Sequence, residues 1–175
     1  VRHVDATALE RDIRRVAEDT HARVVVTFDE DGLYWHPDHV ATHERVTTAV
    51  ASMGDQAPAL YYTSMPAGAM RALMDTALDR IPPDATPPRS ILGVDDPDAF
   101  GSLAPAPTHV LDTREFARRK YNALRCHQSQ QQTCALPHLT EQDSPRLLGL
   151  EHYRRASLGT PGATFLDRLR LTHSR

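Results

Sequence analysis

Cysteine is scarce in this sequence, which excludes a fold stabilised by several disulfide bonds. The 175 residues contain two cysteines, Cys126 and Cys134, which lie outside any Cys-x-x-Cys pattern. Two cysteines do not make a disulfide framework, and we interpret them as incidental thiols in a reducing cytoplasm. We therefore expect a cytoplasmic protein.

Long apolar runs and an excess of positive charge are also missing. No apolar run approaches the ~20 residues that a membrane-spanning helix needs, and no signal peptide is visible at the start. Charged residues make up 25% of the sequence and the formal net charge is -3, which indicates an ordinary soluble surface. A nucleic-acid-binding surface would need more positive charge and interleaved aromatic residues, so we interpret the basic stretch 114–130 as a solvated helix face and expect no nucleic-acid partner.

The spacing of apolar residues predicts helices that alternate with strands. Residues 7–20 have the pattern of an amphipathic helix, with Thr7 as the N-cap and Glu10 completing a capping box. The run 24–28 is continuously apolar, which is typical of a strand covered on both faces in a parallel sheet. Further strands are predicted at 59–63 and 108–111, and further helices at 37–53, 66–80 and 114–130.

Residues 81–107 interrupt this alternation with repeated prolines. Within them, the run 91–94 is a candidate short strand. A loop of this length in a compact domain is typically functional or mobile. Two interpretations stay open: an irregular excursion over the sheet edge, or a pocket wall or oligomer contact.

The chemistry is concentrated in the stretch Tyr34-Trp35-His36-Pro37-Asp38-His39, directly after the predicted strand 24–28 and an acidic turn. Open α/β sheets bind ligands at the carboxyl ends of their strands. Pro37 suits the first turn of a helix, and Asp38 suits its positive end. His36 would then lie just outside the helix and His39 on it, so that both imidazoles face one crevice.

Alternative interpretations of these histidines remain open. The stretch is also compatible with a polar helix start whose histidines are merely exposed. Neutral imidazole is a common metal ligand, but a catalytic zinc site needs three protein ligands and an open position. His43 lies four residues after His39, a spacing that can chelate a metal, although a packed or hydrogen-bonded histidine is the interpretation we favour there.

Four segments resemble, in the same order, the PIG-L/LmbE-like N-deacetylase family. Residues 32–39 are similar to its second signature, and residues 60–66 to a strand and the start of the next helix. Residues 120–130 resemble its late helix, Lys-x-x-Ala-Leu-x-x-His-x-Ser-Gln, and residues 147–153 resemble its closing segment. The family includes the deacetylases that act on N-acetylglucosaminyl-inositol compounds.

The resemblance implies a fold and an activity. The expected fold is α/β, a Rossmann-like three-layer fold with a mostly parallel sheet. The expected activity is that of a zinc-dependent hydrolase, which removes an acetyl group from an N-acetylglucosaminyl small molecule. A metal-dependent esterase would use the same groups. A catalytically inactive sugar-binding or assembly subunit is the alternative from another class.

The resemblance also implies roles for individual residues. His39 matches the family's zinc ligand. His36, oriented by Asp38, would stabilise the oxyanion or protonate the leaving amine, and Tyr34 would hydrogen-bond the same oxyanion. Trp35 stands where relatives commonly have Gly and is assigned to substrate binding. His127, on the late helix, is assigned to substrate binding as well, with helix closure as its alternative.

The family's first signature, Ala-His-Pro-Asp-Asp-Glu, is absent from these 175 residues. In relatives it supplies a His and an Asp to the zinc and a second Asp as the general base. We therefore expect residues 1–175 to be the larger C-terminal part of one such α/β domain, with the N-terminal strand or strands missing. Residues 156–175 would form a C-terminal tail that packs on a neighbour in a homo-oligomer.

Overall fold

A computed structural model of the chain describes residues 1, 3–101, 105–128 and 134–169. These residues form four strands and seven helices, joined by short 3₁₀ turns. In chain order the elements are α1 (Ala6–Asp19), β1 (Val24–Phe28), α2 (Gly32–Trp35), α3 (Pro37–Ala51), β2 (Ala59–Ser64), α4 (Ala69–Leu78), β3 (His109–Asp112), α5 (Ala117–Arg125), α6 (Ser144–Leu148), β4 (Leu150–Arg155) and α7 (Phe165–Leu169). No helix in the described part of the chain is long and apolar enough to cross a membrane.

The four strands form one mixed sheet in the order β1-β2-β4-β3. β1 and β2 pair in parallel, whereas β4 lies antiparallel between β2 and β3. The α/β class is therefore confirmed, but the expectation of a mostly parallel sheet is wrong. The reason is β4, which follows α6 after the single residue Gly149 and enters the sheet in the reverse direction. Of the closing segment of the family resemblance, residues 147–148 end α6 and residues 150–153 lie in β4.

β1 differs from its prediction as well. It is an edge strand of the described sheet, and the side chain of Val26 is 47% exposed. The continuous β-branched run predicted cover on both faces, but β2 is the only strand among the described residues that pairs with β1. Strand propensity and full burial therefore need not coincide.

Helix α1 packs on α3, and α3 in turn lies over β1 and β2. Val50 of α3 lies against Leu60 and Tyr62 of β2, and these residues form one buried cluster. Arg45 of α3 donates a hydrogen bond to Glu10 of α1 at 2.8 Å. The Glu10 side chain is thus bound to Arg45 and does not complete a capping box with Thr7, as was predicted. The N-cap of α1 is Asp5.

A second apolar cluster lies around α4, α5 and the long loop. Leu73, Met74 and Ala77 form the buried face of α4, as their spacing predicts, and they pack with Phe100 and Tyr121. The run 91–94 is a tight turn instead of a strand, because Leu92 and Gly93 both adopt left-handed backbone conformations and the residues on either side bond to each other.

The last two predicted segments are shorter or differently placed than expected. The basic helix begins as a 3₁₀ turn at Arg114–Phe116 and ends as α5 at Arg125; its predicted residues 129–130 lie outside the described part of the chain. The tail folds back on its own sheet, where Leu166 of α7 is buried with Tyr61 of β2. Tail residues 170–175 also lie outside the described part.

Candidate functional site

The loop after β1 has an unusual backbone that shapes the candidate site. Gly32, Leu33 and Trp35 all have positive φ, at 56°, 70° and 64°. Such conformations cost roughly 1–2 kcal/mol for a residue with a Cβ. They are held by hydrogen bonds: the side chain of Asp31 accepts from the backbone of Leu33 at 2.9 Å, and its carbonyl accepts from Trp35 at 2.7 Å. Backbone strain of this kind clusters at functional sites.

The two imidazoles predicted to share a crevice do lie together. His36 is the N-cap of α3, Pro37 occupies the first helical position, and His39 follows within the first turn. The ring centroids of His36 and His39 are 4.7 Å apart, with 38° between the ring planes. Since the strand ends at Phe28, the pair lies beyond the carboxyl end of β1.

The ring of His39 is fixed on two sides. It stacks on Phe28 with the centroids 4.0 Å apart and the planes within 5°. Its Nδ1 lies 3.1 Å from the carbonyl oxygen of Gly32. Because a carbonyl oxygen can only accept, Nδ1 must carry the hydrogen, and the lone pair of Nε2 is left for another partner. This tautomer is the one that a metal-ligating histidine adopts.

His36 has the opposite tautomer. Its Nδ1 accepts a hydrogen bond from the backbone N–H of Asp38 at 3.2 Å, so a neutral His36 carries its hydrogen on Nε2. The backbone N–H of Asp38 thus orients His36, whereas a role for its carboxylate stays a prediction. Its carboxylate accepts from the amino group of Val1 at 2.9 Å. One imidazole therefore presents a lone pair and its neighbour an N–H donor.

Tyr34 completes the ring cluster. Its ring meets His36 and His39 edge-on, with centroids 5.8 Å and 5.3 Å away. Phe100 of the long loop packs on its other side at 4.8 Å. Burial raises the pKa of the Tyr34 hydroxyl above its usual value. Like any tyrosine, the group is protonated at neutral pH and can donate a hydrogen bond.

The long loop forms a wall of this site. Gly101 donates a backbone hydrogen bond to the carbonyl of Leu33 at 3.0 Å. A Cβ at Gly101 would lie 2.0 Å from the carbonyl oxygen of Met65, so only glycine permits this approach. Of the two interpretations of residues 81–107, the structure supports a wall beside Tyr34, while the same loop also packs on the second apolar cluster.

The other residues singled out in the sequence lie in different surroundings. Trp35 is 50% exposed and follows Tyr34 at the edge of the ring cluster. His43 donates from Nδ1 to the carbonyl of Phe28 at 2.9 Å and packs on Tyr62, which matches the hydrogen-bonded interpretation. His127 is exposed beyond the end of α5, and no described contact joins it to His36 or His39. Its role in substrate binding stays a prediction.

Two buried acidic residues next to the site were missed in the sequence, where they read only as a turn. Asp29 is fully buried and paired with Arg154 of β4, with 2.9 Å between Oδ2 and Nε. Asp31 is 1% exposed, and its Oδ2 has no hydrogen-bond partner among the described residues. Burial, opposed by the backbone hydrogen bond from Leu33, raises the pKa of Asp31. The sequence signal that could have identified them is the position of two acidic residues directly after a strand predicted to be buried.

The described residues do not assemble a complete metal site. His39 suits a divalent cation, because its free lone pair is on an oriented ring. Within residues 1, 3–101, 105–128 and 134–169, however, no group of three or more His, Cys, Asp or Glu side chains is placed to hold a metal ion. A complete zinc site would need ligands from outside these residues, so the fit to zinc is limited to one imidazole.

The sequence is similar to several curated proteins, although no family model matches it. A Mycobacterium protein (strain KMS) is 34% identical over 169 residues, which cover 92% of this chain and 52% of the relative. An Acidothermus cellulolyticus protein is 34% identical over 117 residues, 66% of this chain and 38% of the relative. A Rhodococcus opacus protein is 32% identical over 143 residues, 73% of this chain and 45% of the relative.

These three relatives carry the same name, 1D-myo-inositol 2-acetamido-2-deoxy-alpha-D-glucopyranoside deacetylase. The chain spans about half of the length of the relatives it matches, or less. The match to the Mycobacterium protein extends over most of the chain.

Proposed function

Because this chain belongs to the PIG-L/LmbE-like deacetylase family, we propose that the protein removes the acetyl group from an N-acetylglucosaminyl small molecule. The observation that carries the proposal is the pair of facing imidazoles with opposite tautomers, His36 and His39, beside the Tyr34 hydroxyl. Amide hydrolysis needs donors aimed at the oxygen on which negative charge develops. We propose that His36 and Tyr34, whose rings are neighbours, supply two such donors.

His36 and Tyr34 would act on the carbonyl oxygen of the acetyl group. The Nε2–H of His36 donates to this oxygen as the tetrahedral intermediate forms, and the Tyr34 hydroxyl adds a second donor. The hydrogen bond from Asp38 holds the His36 ring in place without charging it. Phe100, packed on Tyr34, keeps water from that side of the phenol ring.

His39 is proposed as one ligand of a divalent cation, Zn²⁺ in the family resemblance, whose role when bound is to lower the pKa of a water molecule. The remaining ligands are not among the described residues, so we assign no step of the reaction to the ion. Stacking on Phe28 and the hydrogen bond to Gly32 hold the His39 ring, and no residue in the described part of the chain hydrogen-bonds its Nε2.

An inactive sugar-binding or assembly subunit is the second candidate. One observation favours it: no three-ligand group is assembled by the described residues. Trp35 is consistent with either function, since a half-exposed ring can stack on a sugar whether or not the sugar reacts.

The test combines two measurements on the purified protein. Amine release is followed with the inositol glycoside that names the relatives, and bound metal is measured by elemental mass spectrometry. Amine release together with a stoichiometric divalent metal supports the deacetylase. Saturable sugar binding without amine release, in protein supplied with Zn²⁺, would overturn it in favour of the binding subunit.

A further inference from the structure

A cleft of about 660 Å³ lies at the opposite end of the sheet from the two imidazoles. It is lined by Val24 and Ala59, which are the first residues of β1 and β2, whereas the imidazoles lie beyond the last residue of β1. A strand of five residues spans roughly 16 Å, so the cleft is a separate place on the molecule. Its volume is within the range of small-molecule sites.

Two arginine side chains provide positive charge in the cleft. Arg23, just before β1, and Arg168 of α7 both line it. Neither guanidinium forms an ion pair or hydrogen bond with a side chain in the described part of the chain, whereas most other arginines there are paired with carboxylates. Guanidinium groups present a planar set of donors that matches the oxygen atoms of phosphate.

The loop 160–164 forms one wall of the cleft and is held at both ends. The backbone N–H of Thr160 donates to the carbonyl of Ala57 at 3.1 Å, and Arg155 donates to the carbonyl of Thr160 at 3.0 Å. At the other end the backbone N–H of Thr164 donates to Asp167 at 2.6 Å. A wall that is already ordered loses little conformational entropy when a ligand binds.

The carboxylate of Asp167 is in turn fixed by the sheet. It accepts a hydrogen bond from Nε2 of His109 at 2.9 Å, and His109 is buried on β3. Between the two fixed ends, the backbone N–H groups of Gly162 and Ala163 have no acceptor among the described residues. They are additional donors for an anionic group in the cleft.

Hydrogen-bond acceptors line the cleft as well. Asp55 and Gln56 line the cleft and can accept hydrogen bonds from hydroxyl groups. We propose that this cleft binds a phosphorylated, hydroxyl-bearing small molecule, with the phosphate on Arg23 and Arg168 and the hydroxyl groups on Asp55. This site is distinct from the crevice of His36 and His39 and does not depend on the function proposed for that crevice.

Isothermal titration calorimetry with inorganic phosphate and with glycerol 3-phosphate tests the proposal at constant ionic strength. Glycerol 3-phosphate is expected to bind saturably and more tightly than inorganic phosphate. The double variant Arg23→Gln/Arg168→Gln should weaken both ligands at least tenfold. Arg11→Gln, which removes an exposed arginine of α1 outside the cleft, serves as the matched control and should leave both affinities unchanged.

A third variant separates the two halves of the ligand. Asp55→Asn should reduce the advantage of glycerol 3-phosphate over inorganic phosphate while leaving inorganic phosphate binding intact or stronger. The proposal is overturned if no saturable binding occurs, or if Arg11→Gln weakens binding as much as the double variant, since that would indicate general attraction to positive charge. Circular dichroism of each variant verifies that it is folded.

Discussion

The carbonyl oxygen of Gly32 accepts a hydrogen bond from Nδ1 of His39, and the same glycine leaves the space in which the His39 side chain lies. A Cβ at residue 32 would be 2.8 Å from the Cβ of His39 and 2.9 Å from the backbone nitrogen of Val40. The glycine therefore determines both the tautomer and the position of the imidazole. Its left-handed backbone, with φ of 56°, adds a second reason for glycine.

Gly32→Ala is accordingly expected to disturb the site. Gly54→Ala is a matched control, because Gly54 also has φ of 56° but nothing within 4 Å of an added Cβ. Both substitutions incur the left-handed backbone cost, and Gly32→Ala should lower the free energy of unfolding by about 1–3 kcal/mol more, the usual cost of overpacking. Urea unfolding of the two variants gives this difference. Equal losses would show that residue 32 does not press on His39.

The ion pair between Asp29 and Arg154 anchors the beginning of the same loop. Asp29 is buried, and its carbonyl accepts the backbone hydrogen bond of Gly32 at 2.9 Å. Arg154→Leu would leave a buried carboxylate without its partner, which typically costs about 3–5 kcal/mol. Arg71→Leu breaks a similarly bonded but exposed pair with Asp98 and should cost much less, because solvent screens an exposed ion pair. Urea unfolding of the two variants should show this contrast, and comparable losses in both would contradict the burial argument.

The buried carboxyl group of Asp31 predicts a pH dependence of stability. Its pKa is raised in the folded protein by burial, above the ordinary value of 3.8. The folded state thus holds this proton more tightly than the unfolded chain does. The contribution is fully present below about pH 4 and is lost as the pH rises through the folded-state pKa.

Asp31→Asn should remove this contribution while keeping the acceptor for the backbone N–H of Leu33. The free energy of unfolding, measured in urea at several values between pH 4 and pH 7, should therefore fall less steeply with rising pH in Asp31→Asn than in the unsubstituted protein. Parallel pH profiles would mean that Asp31 titrates normally.

Trp35 combines a strained backbone with an exposed ring, and two substitutions separate these properties. Trp35→Gly and Trp35→Ala both remove the indole, but only glycine adopts φ near 64° without steric cost. Trp35→Gly should be about 1 kcal/mol more stable than Trp35→Ala. If the indole stacks on the sugar, both variants raise KM equally. A KM unchanged in both would exclude Trp35 from substrate binding.

Local sequence predicted the start of α3 better than it predicted the sheet. Pro37 and Asp38 place the start of α3, and helical spacing then brings His36 and His39 together, so that part needs only short-range information. The tautomers could not be predicted, because they depend on the carbonyl of Gly32 and on a capping role for His36 that the sequence does not specify. The position of Phe100 beside Tyr34 is a long-range contact, which the local sequence could not predict either.

The prediction of the sheet was wrong because strand order and direction also depend on long-range contacts. Residues 150–155 are mostly polar, Leu-Glu-His-Tyr-Arg-Arg, and carry no signal of the strands that they join. β4 is stabilised in its central place by contacts from distant residues, including Asp29 to Arg154 and Lys120 to Glu151 at 2.8 Å. Strand order and direction follow from such contacts, and so does the existence of β4, whereas β1 and β2 are predicted by their local pattern.

The most direct test of the proposed chemistry is the rate of amine release by His36→Asn. Asparagine retains an oxygen that can accept the backbone N–H of Asp38 and cap α3, but it removes the Nε2–H donor. With the inositol glycoside that names the relatives, kcat should fall about 100- to 1000-fold, while the exposed control His138→Asn keeps full activity. An active protein in which His36→Asn leaves kcat unchanged would contradict the assignment of this imidazole to the developing oxyanion.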